Sequence, residues 1–176
     1  MVLSALRGCE VVSDATNVLT LHLVNRYKNS IEKEKEESAY TLHRVLRTQK
    51  FYCEKPPQHF KLAHIVALGK SKKFLEEEIY TQISLLTGYI KKIAKNGEIS
   101  VNFWLLNTTF GRAIGEIVSK IDKSIMVEID TESQSGGEYY SGIRFLIGVA
   151  VNDQIDFVAD GGIVNWRSKF LGNNKI

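Results

Sequence analysis

The apolar positions change period along the chain, and each change marks an element. After Asp14-Ala-Thr16, the run NVLTLHLVNRY sets Leu19, Leu23 and Tyr27 on one helical face. A helix is therefore predicted over about 15–28, with Asp14 or Thr16 as its N-cap. The following IEKEKEES is a mixed charge run, read as a solvated helix end or loop. Residues 41–53 and 60–68 are rich in β-formers and flank Glu54-Lys-Pro-Pro-Gln-His59, which holds both prolines of the chain. Two adjacent prolines lack the backbone donors that a ladder needs, so the pattern predicts two antiparallel strands joined by a long loop.

Downstream, Phe74, Ile79, Ile83, Leu86, Ile90 and Ile93 outline an amphipathic helix from Lys72 to Lys95. Glu76, Glu77 and Glu78 are expected in its first turn and Lys91, Lys92 and Lys95 in its last, as the helix dipole favours, and Asn96-Gly97 ends it. The remaining pattern predicts a strand over 99–106, a helix over 110–121, and a hairpin of 140–151 and 154–159 turning at Asn152-Asp153. A short helix over 164–171 closes the order. No internal repeat or low-complexity linker interrupts it. The fold class expected is α+β, an antiparallel β-sheet flanked by helices.

At 176 residues and 44% hydrophobic content, the chain is long enough for a single domain spanning 1–176. The formal charge of +3 is too small to imply a nucleic-acid or membrane partner. No window approaches the roughly 18 apolar residues of a membrane span, and the start lacks the pattern of a signal peptide, so a cytoplasmic protein is expected. Cys9 and Cys53 form no CxxC pair and read as free buried thiols. The four histidines, His22, His43, His59 and His64, form no HxxxH or HExxH pair, so no metal is expected. GxSxG, Walker and GxGxxG signatures are absent as well.

What carries chemical potential is a set of scattered residues. Arg47 before the proline loop suits a phosphate, and Phe60 after it suits a purine ring. Far downstream, Glu138-Tyr-Tyr-Ser-Gly-Ile-Arg-Phe145 leads to Ala159-Asp-Gly-Gly162, where paired glycines permit close backbone approach to a small ligand.

The order and spacing of these pieces resemble the core of class II aminoacyl-tRNA synthetases of the histidyl type, including non-synthetase relatives such as the regulatory subunit of ATP phosphoribosyltransferase. VLRTQKFYCEKPPQHFKLAHIVALG resembles the family's motif 2. The resemblance implies that Arg47 holds the ATP α-phosphate, that Phe60 stacks on adenine, that Gly69 closes the motif, and that Glu54 is the one carboxylate left to reach the adenine amine. It likewise implies that Asp14 and Thr16 grip the ammonium of an amino acid. EYYSGIRF resembles the tyrosine-pair strand, giving Tyr139, Tyr140 and Gly142, and ADGG resembles the turn behind the amino-acid pocket, giving Gly161 and Gly162. The matches span about 12–165.

The departures bear on activity. Ser135 stands where the family has its catalytic arginine, removing the cation that stabilises charge at the α-phosphate. Val12, His59, Lys61-Leu62 and Ile163-Val164 replace other polar positions, and Arg144 is not on the family's pattern. Motif 1, through which the family dimerises, would precede residue 1, and motif 3 would follow residue 176. The reading that follows is a synthetase-like paralogue that binds an amino acid or nucleotide as a binding or regulatory module. One alternative is an ATP- and Mg2+-dependent amino-acid ligase acting with tRNA, with Arg47 as the catalytic residue. The other is an unrelated α+β domain. A homodimer or hetero-oligomer is expected only through surfaces other than motif 1.

Overall fold

The computed structural model describes residues 14–29, 36–46, 59–94, 97–133, 139–151 and 154–165. The chain divides into two compact units, Met1–Leu68 and Gly69–Ile176. Its class is α+β, with two sheets and interspersed helices. Among the described residues no helix is long and apolar enough to cross a membrane.

Unit 1 consists of helix α1 (Ala15–Asn29) and a hairpin of β1 (Glu37–Leu46) and β2 (His59–Leu68). Asp14 is the N-cap of α1, its Oδ1 accepting the Thr16 backbone N–H at 2.8 Å. The helix buries Thr20, Leu23 and Val24, one continuous face. The antiparallel ladder runs from Glu37 opposite Leu68 to Leu46 opposite His59. Strand β1 thus begins at Glu37, so the end of the charge run pairs in the sheet, where a loop was predicted. Strand alternation sends His43, Val45, Leu62 and His64 to the face on which α1 packs, and leaves Tyr40, Leu42, Arg44 and Lys61 exposed on the other. The proline loop and both cysteines lie outside the described residues.

Unit 2 begins with α2 (Lys72–Ile93) and β3 (Glu98–Leu105). A 3-10 turn (Thr108–Phe110) then leads into α3 (Gly111–Lys120), followed by β4 (Met126–Asp130), β5 (Ile143–Val151) and β6 (Gln154–Gly162). Ser71 caps α2 by accepting the Phe74 N–H at 3.1 Å. The helix therefore starts before the glutamates, and Glu76–Glu78 fall in its second turn, where they feel the dipole less than the sequence suggested. At the other end Lys91 and Lys92 do occupy the last turn.

The strand order is β4-β3-β5-β6. Strands β3, β5 and β6 pair antiparallel, as the pattern predicted, but β3 and β4 are parallel. The sheet is mixed because α3 carries the chain back along the sheet before β4 begins, a crossover that two parallel neighbours require. Strand β4 has no counterpart in the sequence reading. Asp160, Gly161 and Gly162 continue β6, pairing with Leu146, Phe145 and Arg144, where a turn was expected. The turn at Asn152-Asp153 and all but the first two residues of the helix expected over 164–171 lie outside the described residues; Val164 and Asn165 are not helical.

One face of this sheet is the core. Val101 and Phe103 of β3 and Ile143, Phe145 and Ile147 of β5 are buried against α2 and α3, which contribute Ile79, Ile83, Ile114 and Ile117. Each such side chain contributes about 1.5–3 kcal/mol on burial. Alternation then fixes the residues of the other face, which include Trp104, Asn102, Arg144, Leu146 and Asp160.

Candidate functional site

The second face of the unit 2 sheet gathers a cation, a carboxylate and two aromatic rings from four chain segments. Trp104 on β3 lies beside Arg144 on β5, and Gly162 on β6 lies on Arg144's other side. The Arg144 guanidinium sits 5.2 Å from the Trp104 ring centre and 5.7 Å from that of Tyr140, in range for cation–π attraction to both. Its Nε and Nη2 donate to Asp160 Oδ1 and Oδ2 at 3.3 and 3.4 Å. These lengths exceed the ~2.7–2.9 Å of a tight charged pair, so the bridge is loose. The Arg144 side chain is 17% exposed and that of Asp160 47% exposed, which leaves the carboxylate accessible from solvent.

A carboxylate flanks each aromatic wall. Asp130 lies opposite Trp104 in the β3–β4 ladder, and its carboxyl is held below its usual range mainly by the backbone N–H groups of Ser133 and Glu132, with a smaller contribution from Trp104. Burial first, then the neighbouring Asp160 carboxylate, hold the Tyr140 phenol well above the usual tyrosine value. The phenol therefore stays protonated beside the carboxylate. Tyr139 meets the Tyr140 ring edge-on at 4.9 Å.

Glycine makes this arrangement possible. A Cβ at Gly162 would strike the Ile143 carbonyl oxygen first, then the Tyr140 ring at 2.7 Å and the Arg144 Cα at 3.0 Å, so the close backbone approach requires glycine and the ring lies over the space it leaves. Gly161 points the opposite way and accommodates the Phe145 ring in the core. Gly142 is closed off by Phe110 at 2.9 Å and Ile163 at 3.3 Å. Of the residues singled out in the sequence, Tyr139, Tyr140 and Gly162 thus come together at one place, while Gly161 and Gly142 serve packing. Trp104 and Asp160 carry the site without having been singled out as ligands. Arg144 had been set aside as off-pattern.

Unit 1 holds a different constellation. Thr16 Oγ1 lies 2.8 Å from His64 Nδ1, and Asp14 Oδ1 lies 3.5 Å from the same nitrogen. His64 stacks on His43 with ring centres 5.1 Å apart and planes 19° from parallel. Among the described residues, Nε2 of both histidines is buried without a hydrogen-bond partner. Desolvation lowers the His64 pKa, Asp14 opposes the shift and His43 adds to it. Asp14 and Thr16, to which the resemblance assigns an ammonium group, are here engaged in capping α1 and orienting His64. Phe60 is half-buried, on the same face as Val45. Gly69 accommodates the Phe74 ring. Arg47, Glu54 and Ser135 lie outside the described residues.

A groove of about 230 Å3 runs between α2 and the segment after α3, but its main cation is used internally. Lys91 Nζ donates to Asp122 and to Ser124 Oγ, each at 2.7 Å. No group of three metal-ligating side chains occurs among the described residues. No protein-family model, no curated protein and no solved structure matches the chain.

Proposed function

We propose that this chain is a small-molecule-binding or regulatory module of histidyl-tRNA-synthetase-like character, and that it takes an amino acid on the second face of the unit 2 sheet. The observation that carries the reading is the loose Arg144–Asp160 pair held between the Trp104 and Tyr140 rings. A free amino acid offers a carboxylate for Arg144 and an ammonium for Asp160, so it replaces one long internal bridge with two charge-assisted contacts. Its side chain then lies along an aromatic ring, and a histidine side chain fits such a wall by stacking. The nucleotide half of the reading rests on Arg47, Glu54 and Phe60 as the resemblance assigns them.

Thermal shift and calorimetry with a panel of amino acids, histidine first, and with ATP and Mg2+ test this. A ligand present at 100 times its dissociation constant stabilises by about 2.7 kcal/mol. Arg144→Ala and Asp160→Asn should each abolish the amino-acid response while leaving the fold intact by circular dichroism. No response to any amino acid or to ATP sinks the proposal in favour of an unrelated α+β domain. Pyrophosphate exchange separates binding from adenylation: exchange abolished by Arg47→Ala makes the chain a ligase, whereas binding without exchange makes it a module.

A further inference from the structure

Helix α2 has a second apolar stripe that the unit 2 core does not use. Its buried side carries Ile79, Ile83, Thr87 and Ile90. On another side, Leu85, Tyr89 and Ile93 recur at four-residue spacing and are 59%, 63% and 65% exposed. Gly88 lies beside them, and a Cβ added there would meet nothing within 4 Å. A glycine in mid-helix weakens the helix, and among the described residues no neighbour requires this one.

The charges along this stripe are arranged symmetrically about Leu85. Glu78 lies seven residues before it and Lys92 seven after, so all three fall on one line along the helix. Among the described residues, neither Glu78 nor Lys92 makes an ion pair, whereas Glu77 pairs with Lys73 and Lys91 with Asp122. Thr81 and Tyr89 lie four residues either side of Leu85, and Gln82 and Gly88 three either side. A large residue on one side is thus matched by a small or polar one on the other. Reversing the helix end to end therefore sets Glu78 against Lys92, Tyr89 against Thr81 and Gln82 against Gly88.

We propose that this face of α2 pairs with α2 of a second copy of the chain, antiparallel, about a two-fold axis through Leu85. The interface is isologous: each copy supplies both the acidic and the basic end, and the two Leu85 side chains meet on the axis. Tyr89 of each copy covers the Thr81 region of the other, and the absence of a side chain at Gly88 lets the helices approach closely there. A four-turn helix pair is smaller than a standard interface, so the association is weak and rises with concentration.

Sedimentation velocity on the full chain tests this. A monomer–dimer equilibrium that weakens as salt is raised is expected. Leu85→Glu, which sets two like charges on the axis, should leave only monomer. Glu78→Lys or Lys92→Glu alone should weaken the dimer about tenfold, because two attractive pairs become repulsive. The double variant E78K/K92E should restore it, and an equimolar mixture of the two single variants should form a heterodimer in which every facing pair is again opposite. All three positions are solvent-facing or half-buried, and circular dichroism confirms that each variant is folded. A monomer up to about 0.3 mM, where micromolar contacts are populated, overturns the proposal. So does a dimer indifferent to Leu85→Glu, or a double swap that fails to rescue.

Discussion

In unit 1 the hairpin turns His43 and His64 towards α1, whereas in unit 2 the sheet turns Arg144 and Asp160 away from the helices and fills the helix-facing side with Val101, Phe103, Ile143, Phe145 and Ile147. Both sheets obey the same period-two rule and set charged residues on the uncovered side, Arg44 and Lys61 in unit 1 and Arg144 and Asp160 in unit 2, but unit 1 also places two imidazoles under its helix. A polar group covered by a helix must take its hydrogen bonds from whatever lies there, and two imidazole nitrogens in unit 1 take none among the described residues. Such a group couples to stability. A polar group on the uncovered side can exchange a protein partner for a ligand. The difference places a protonation-sensitive pair under the helix of unit 1 and leaves the Arg144–Asp160 pair of unit 2 open to the ligand proposed above.

The largest test of that contrast is a cavity in the apolar core. Phe103→Ala removes a side chain that is almost fully buried and should cost about 3–5 kcal/mol. Amide hydrogen exchange should show the loss of protection in β3 and β5. In the unmodified protein those same amides should exchange more slowly than those of β1 and β2. The reverse order would break the comparison, because it would make the polar-lined hairpin the more stable element.

Next in size is overpacking at Gly161, whose added Cβ would strike the Phe145 ring. Gly161→Val should cost about 1–3 kcal/mol in denaturant unfolding, and adding Phe145→Leu should recover part of it. If the two changes simply add, the glycine is not there for that ring. A tight turn would tolerate valine differently, so the measurement also checks that the glycine pair belongs to β6.

The elements were largely legible because they are periodic. The helical spacing of Leu19, Leu23 and Tyr27, and of Ile79, Ile83 and Ile90, comes from residues that are neighbours along the chain. Strand β4 was not legible: it is five residues long, lies on the sheet edge, and mixes exposed Met126 and Ile129 with exposed Glu128. Its parallel partner β3 lies beyond α3, and such pairing leaves no local signature. The site was legible in part. Tyr140 stood out through the resemblance of EYYSGIRF to a family motif and Gly162 as one of a glycine pair, but Trp104 and Asp160 meet Arg144 only through strand register. One signal was available: a charged residue between Ile143 and Phe145, in a strand that is otherwise apolar, marks the face away from the core.

A smaller effect, confined to unit 1, is pH. His64 titrates below its ordinary value of 6.5, chiefly through desolvation, with Asp14 and His43 the titratable groups facing it. In the unfolded chain the imidazole takes up a proton near pH 6.5, and in the folded chain only at lower pH. Stability is therefore full above about 6.5 and is lost as pH falls through the folded value. His64→Gln should flatten that acid limb, read as the melting temperature against pH. If the limb survives the substitution, the buried imidazole pair is not its cause.

The smallest effect tests unit 2 from the alkaline side. Tyr140 ionises later than an ordinary tyrosine because burial and the Asp160 carboxylate both oppose a second negative charge. The unfolded chain releases that proton near pH 10 and the folded chain does not, so unit 2 loses stability as pH rises past 10. Tyr140→Phe should change stability at neutral pH by no more than about 0.5–1.5 kcal/mol, the usual contribution of one hydrogen bond, since the half-exposed Asp160 can turn to water instead. Ultraviolet titration should show that the last tyrosine to ionise has gone. The same variant should weaken amino-acid binding by more than it weakens the fold, because Asp160 is then held by Arg144 alone and is no longer aimed at an ammonium. Equal losses in folding and binding would mean that the network on this face serves the sheet and nothing else.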